Sequence, residues 1–137
     1  MARILAIDYG KKRTGLAVTD MLQIVPGALD TVETPKLMAY LNDYVKRESV
    51  EKIVIGEPRQ PNGMPSENMQ RVQQFKAQWQ KAHPEIPIVG YDERFTSVMA
   101  HQTMIDAGLH KKARQDKALT DRISATIILQ SYMQGNL

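Results

Sequence analysis

Residues Arg3 to Asp20 read RILAIDYGKKRTGLAVTD, and this stretch decides the fold. Ile4, Leu5, Ala6 and Ile7 form a short apolar run without polar alternation, the pattern of a strand buried on both faces. Gly10 to Arg13 supplies a turn and Gly15 to Thr19 a second strand, so the two make a hairpin. Asp8 stands at the open end of the first strand. An ionised carboxylate there is expensive to desolvate unless it is paired, hydrogen-bonded or holding a metal. A turn-forming Asp is the simpler alternative.

Downstream of the hairpin, Ile24 to Thr31 can supply a third strand, with Pro26 and Gly27 pointing to an edge position, a bulge or an irregular start. Pro35 opens a helix whose Leu37, Met38, Leu41, Tyr44 and Val45 share one face while Lys46, Arg47 and Glu48 face water. Glu51 to Gly56 is a second buried apolar run, and a strand after a helix makes a parallel pair through a right-handed crossover. The sheet is therefore expected to be mixed. Glu57 to Pro65, with three prolines and a glycine, reads as a surface loop. Ser66 can cap a helix carrying Met69, Val72, Phe75, Lys76 and Trp79, and Pro84 ends it before the strand Ile86 to Tyr91. Trp79 is expected in the core rather than stacked on a base.

Asp92, Glu93 and Arg94 then place acids at the end of an apolar strand for a second time. Thr96 or Ser97 caps a helix to about Ala107, closed by Gly108. His110 to Lys117 is rich in lysine and arginine without apolar periodicity, either an ordinary solvated linker or a phosphate contact that makes binding salt-sensitive. Leu119 to Gln134 reads as a last helix, with Ile123, Ile127, Ile128, Leu129 and Met133 as core candidates and Asp121 in its first turn, where an acid can also serve the helix dipole alone.

The chain has 137 residues, of which 42% are hydrophobic and 24% charged, a globular mixture expected to form one domain over 1–137. No stretch approaches the roughly 20 apolar residues that span a bilayer, and the N-terminus lacks the succession of a secretory signal. With no cysteine there are no disulfides or thiolate metal sites, and a reducing cytoplasm is the expected location. A net charge of +3 tilts toward an anionic partner.

Asp8, Glu93 and Asp121 lie at two strand ends and a helix start, far apart in sequence but able to converge in a mixed α/β fold. Clustered carboxylates repel, and Mg²⁺ or Mn²⁺, which prefer oxygen ligands, would hold them ionised. Two such ions about 4 Å apart activate a water and stabilise the leaving oxygen of a phosphodiester. Phosphodiester hydrolysis is the chemistry this donor set suits.

At this point the chain resembles the YqgF family, also called RuvX, of the RNase H-like nuclease superfamily. The resemblance is carried nearly end to end by AIDYGKKRTGLAVTD at Ala6 to Asp20, VIGEPRQPNG at Val54 to Gly63, YDERFTS at Tyr91 to Ser97 and TDRISATIILQSY at Thr120 to Tyr132. It implies an α/β, RNase H-like fold with a five-stranded mixed sheet flanked by helices, and Asp8, Glu93 and Asp121 as catalytic and metal-holding residues. It also implies a cytoplasmic hydrolase that trims the 5′ end of the 16S rRNA precursor, with one or two Mg²⁺ or Mn²⁺ ions as cofactor. Holliday-junction resolution is the alternative activity. The chain departs from the family's usual Gly-Leu-Pro at Gly56, Glu57 and Pro58, which makes Glu57 an additional candidate ligand, with Glu93 preferred because it lies in the DER motif. Ser124 stands where many members have Ala, and close packing is expected to survive.

Lys11, Arg13, Arg59, Arg94, Lys111, Lys112 and Arg114 are the candidate nucleic-acid contacts, since guanidinium and ammonium groups bind phosphate. RNA is the favoured partner, structured DNA the other, with a pre-ribosomal particle as a further partner and no membrane. The chain is expected as a monomer or a homodimer, the latter suiting a resolvase that cuts two symmetric strands. Two rival classes remain: a non-catalytic nucleic-acid-binding assembly factor, and a small nucleotide-binding relative of actin and Hsp70, which length disfavours because those proteins close two lobes around ATP.

Overall fold

A computed structural model of the chain describes residues 1–58, 67–93 and 117–135. The hairpin forms as expected: β1 (Arg3–Tyr9) pairs antiparallel with β2 (Arg13–Thr19), Asp8 lying opposite Gly15. β3 (Pro26–Glu33) adds to β2 antiparallel. A 3-10 turn at Thr34–Lys36, started by Pro35, leads into α1 (Leu37–Arg47). β4 (Val50–Glu57) returns parallel to β1, α2 is Met69–Ala82, and β5 (Ile88–Asp92) lies parallel to β4. The strand order is β3-β2-β1-β4-β5, a five-stranded mixed sheet, and the helix α3 (Lys117–Gly135) completes the described elements.

Alternation along the central strands sends side chains to two separate cores. On one face Leu5, Ile7, Leu16, Ile53, Ile55 and Ile88 pack with Leu37, Leu41 and Tyr44 of α1 and Val72, Phe75 and Trp79 of α2. On the other, Ile4, Ala6, Ala17 and Val54 pack with Ala125, Ile128 and Leu129 of α3. The second core is built largely from small residues, which lets α3 lie close to the sheet. Trp79 is fully buried, as expected, and its indole N–H donates to the Ile86 carbonyl at 3.1 Å, satisfying the ring's polar atom.

The third strand differs from its expected start at Ile24. Ile24 and Val25 instead belong to a loop and are 64% and 62% exposed. The Asp20 carboxylate explains this: it accepts from the backbone N–H groups of Leu22, Ile24 and Val25 at 3.2, 2.7 and 2.8 Å, so the loop folds around Asp20 before pairing begins. Gln23 takes a φ of 58° there, and its amide donates to Ala2 O and the Glu51 carboxylate. β3 is an edge strand, and its register with β2 shifts between Leu16 and Ala17, the bulged and edge behaviour that Pro26 and Gly27 suggest.

The last helix begins at Lys117 rather than Leu119, so Asp121 is its fifth residue and stands past the first turn. Among the described residues no helix is long and apolar enough to cross a membrane. The expected helix from Thr96 or Ser97 to Ala107, most of the Glu57 to Pro65 loop, the Ser66 cap and the basic segment up to residue 116 lie outside the described residues.

Candidate active site

The sheet's alternation fixes which acids can meet. Asp8 continues the Ile4, Ala6 series and so projects to the α3 face, and beyond the Ile7–Ile55 pair it comes level with Gly56 of β4. Glu93 follows β5 directly, and its side chain crosses β4 at Gly56: a Cβ on Gly56 would overlap the Glu93 side chain from Cγ to Oε1. The missing side chain at position 56 is what lets Glu93 reach Asp8 two strands away.

The two carboxyl groups are hydrogen-bonded to each other. Burial pushes Glu93 up to about 9, reinforced by the Asp8 charge, by the hydrogen bond it donates to Asp8 and by Asp92. Asp8 is also raised, by burial first and by the nearby Asp121 charge, partly offset by the hydrogen bond from Glu93. Two buried acids this close resist ionising together, and the hydrogen bond between them requires that one carry the proton.

Asp121 arrives from α3. The helix lies against β2 at Gly15, where a Cβ would overlap the Asp121 backbone carbonyl, so glycine at 15 sets how closely Asp121 approaches Asp8. The Thr31 hydroxyl donates to Ala118 O at 2.6 Å and ties the helix start to β3. The Asp121 carboxylate accepts from Arg13 Nε at 3.1 Å, a pairing across 108 positions of sequence. Arg13 was expected at phosphate; in this structure its guanidinium is engaged with an acid of the site.

Glu57 projects the other way. It shares the alternation of Ile53 and Ile55, and its carboxylate lies over Gly90, accepts from Gln73 Nε2 at 2.6 Å and pairs with Lys76 Nζ at 3.4 Å on α2. Sheet and core thus separate Glu57 from the Asp8–Glu93 pair. Lys11 is exposed in the hairpin turn. Arg59, Arg94, Lys111, Lys112 and Arg114 lie outside the described residues.

Two features had no clear signal in the sequence. Thr34 staples the hairpin turn: its hydroxyl donates to Gly10 O at 2.7 Å and pairs with the Thr14 hydroxyl at 2.9 Å, while its N–H donates to Lys12 O. Asn68 donates to the Tyr9 carbonyl at 2.7 Å, beside Asp8, and its own side-chain oxygen is buried without a partner among the described residues. Among the described residues no group of three or more His, Cys, Asp or Glu side chains is placed to hold a metal ion. The Asp8–Glu93 pair nonetheless fits a hard divalent cation in its donor chemistry: two converging carboxylates that share a proton where a cation would otherwise balance them.

A family described as RuvX, Holliday junction resolvase, matches residues 2–135. The chain belongs to the RuvX family. It is 58% identical over 135 residues to a protein of Phocaeicola vulgatus named "Putative pre-16S rRNA nuclease", covering 98% of this chain and 97% of that one. A Porphyromonas gingivalis protein of the same name is 56% identical over 98% of both chains. Among solved structures, a fowlpox virus resolvase in complex with Holliday junction DNA superposes with a TM-score of 0.59 at 13% identity, covering 98% of this chain and 99% of that one. Thermus thermophilus RuvC with a Holliday junction substrate gives 0.56 at 18% identity, over 97% and 96%. At those identities the likeness is one of fold. The RuvX motifs at Ala6 to Asp20, Tyr91 to Ser97 and Thr120 to Tyr132 supply Asp8, Glu93 and Asp121, and the fold brings the first two into contact with the third alongside.

Proposed function

We propose that this chain is a cytoplasmic, metal-dependent nuclease that hydrolyses phosphodiester bonds at the 5′ end of pre-16S rRNA during ribosome biogenesis. The observation that carries this reading is the buried Asp8–Glu93 pair with Asp121 close enough to act on its charge. Burying these acids costs stability, and catalysis is a physical reason to keep them. The names of relatives more than half identical over nearly the whole chain favour RNA from the ribosomal precursor as substrate.

Asp8, Glu93 and Asp121 are the residues that would hold Mg²⁺ or Mn²⁺. When bound, such an ion supplies an activated water and a Lewis acid for the phosphate oxygens. The protein's part is to keep the carboxylates on rigid strands and a helix, to exclude water behind Asp8 with the α3 core, and to present Lys11 at the hairpin turn to the nucleic-acid backbone. Arg59, Arg94, Lys111, Lys112 and Arg114 are proposed to add phosphate contacts.

Cleavage of labelled precursor RNA, linear DNA and four-way-junction DNA by wild type and Asp8→Asn, in Mg²⁺, Mn²⁺ or EDTA, tests the reading. Metal-dependent cutting of RNA that Asp8→Asn loses by at least about 100-fold is expected. A second reading, junction resolution, is favoured by the family's description and by the resolvase folds, and cutting confined to four-way DNA would establish it instead. Absence of cutting on every substrate by folded wild type would leave a binding or assembly factor.

A further inference from the structure

Arg13 opens β2, and its Nε lies 3.1 Å from Asp121 Oδ2. The backbone of Asp121 is already fixed against Gly15, and the start of α3 is tied to Thr31, so the helix cannot slide to relieve or tighten this contact. The guanidinium then helps to set the direction of the Asp121 carboxylate. With both side chains only partly exposed, at 37% and 23%, their attraction is less screened than a surface pair's.

The local charge completes the picture. With a cation in place of the shared proton, the Asp8, Glu93 and Asp121 carboxylates carry negative charge that the Arg13 guanidinium partly offsets. Asp92 alternates to the α2 face, where Lys76 and Gln73 also lie, yet its charge still acts on Glu93. We propose that Arg13 is a positioning residue rather than a phosphate contact: it holds Asp121 at the border of the acid pair and offsets the negative charge that the site presents to a divalent cation. This rests on the nuclease reading for its purpose, but not for its test.

The test is Mn²⁺ titration of the nucleic-acid-free protein by calorimetry, beside RNA affinity in EDTA and the kcat and KM of cleavage, for wild type, Arg13→Gln, Arg13→Lys and the double variant Arg13→Gln/Asp121→Asn. Arg13→Gln removes the competitor for Asp121 and is expected to bind Mn²⁺ roughly tenfold more tightly, because a nearby positive charge is lost. Its kcat falls at least about tenfold as Asp121 loses its orientation, while RNA affinity in EDTA stays within about twofold. The gain in Mn²⁺ affinity disappears when Asp121→Asn is added. Arg13→Lys keeps the charge and loses the fixed fork, so it retains wild-type Mn²⁺ affinity with a reduced kcat, and it serves if Arg13→Gln unfolds.

Mn²⁺ binding unchanged in Arg13→Gln together with weakened RNA binding and a salt slope shallower by about one, the signature of a phosphate contact, would overturn the proposal. The Mn²⁺ arm needs no cleavage: a wild type that cuts nothing defeats the nuclease reading and leaves the Arg13 result readable.

Discussion

Two glycines make opposite demands on their neighbours. At Gly15 a Cβ would meet the carbonyl and Cα of Asp121, backbone atoms of a helix packed along the sheet, and nothing there yields alone. Gly15→Ala is expected to cost about 3 kcal/mol in urea unfolding, since α3 must move as a body. At Gly56 the Cβ would meet only the outer atoms of the Glu93 side chain, which can swing away. Gly56→Ala should therefore change stability by less than about 1 kcal/mol yet lower cleavage by about 100-fold, because the Glu93 carboxyl no longer reaches Asp8. Full activity in Gly56→Ala would show that the Asp8–Glu93 contact is dispensable. Glu57 supplies the comparison: held by Gln73 and Lys76 on the far face, its change to Gln should leave cleavage within about threefold, while Glu93→Gln should remove most of it.

Elements were easier to read than the side chains between them. The apolar runs at Ile4 to Ile7 and Glu51 to Gly56 and the helical faces around Leu41 and Phe75 declare themselves through hydrophobic pattern, because burial of whole faces dominates their energetics. Ile24 and Val25 misled for the same reason: they are apolar, but three N–H bonds to Asp20 outweigh any gain from pairing there. The strand-end acids could be listed but not sorted, since the face a residue takes at the last position of a strand depends on how far the pairing continues. Arg13 meeting Asp121 has no local signature at all. Nor has the staple at Thr34, where the chain leaving β3 reaches the hairpin turn. Replacing Thr34 by Val keeps the shape and removes the hydroxyl, leaving Gly10 O and the buried Thr14 hydroxyl without this partner. A loss of about 2 kcal/mol is expected, with faster hydrogen exchange confined to the Gly10–Arg13 turn. Uniform exchange across the sheet would refute a local staple.

The whole molecule is polarised along its strands. Among the described residues the exposed large apolar side chains, Met1, Leu22, Ile24 and Val25, sit beyond the start of β1, and the buried acids Asp8 and Glu93 sit at the other end. Stability should report on that acidic end. Glu93, raised from 4.5 to about 9, is protonated more in the folded chain than in the unfolded one, so folding takes up a proton between those values. Stability therefore falls as pH rises through that window, the reverse of a salt-bridged carboxylate. Asp20 works in the opposite sense at low pH: three backbone N–H bonds hold its carboxyl below the usual range, and that support is lost as acid protonates it. In EDTA the melting temperature should accordingly peak in mild acid and decline steadily toward pH 9. Glu93→Gln, which cannot ionise, should flatten the alkaline limb. Mn²⁺ should flatten it as well, since a cation bound only by the folded chain stabilises the ionised carboxylates by mass action. A wild-type melting temperature level from about pH 6 to 9 in EDTA would mean that the pair's proton is not coupled to folding, and that the acids are balanced by something other than each other.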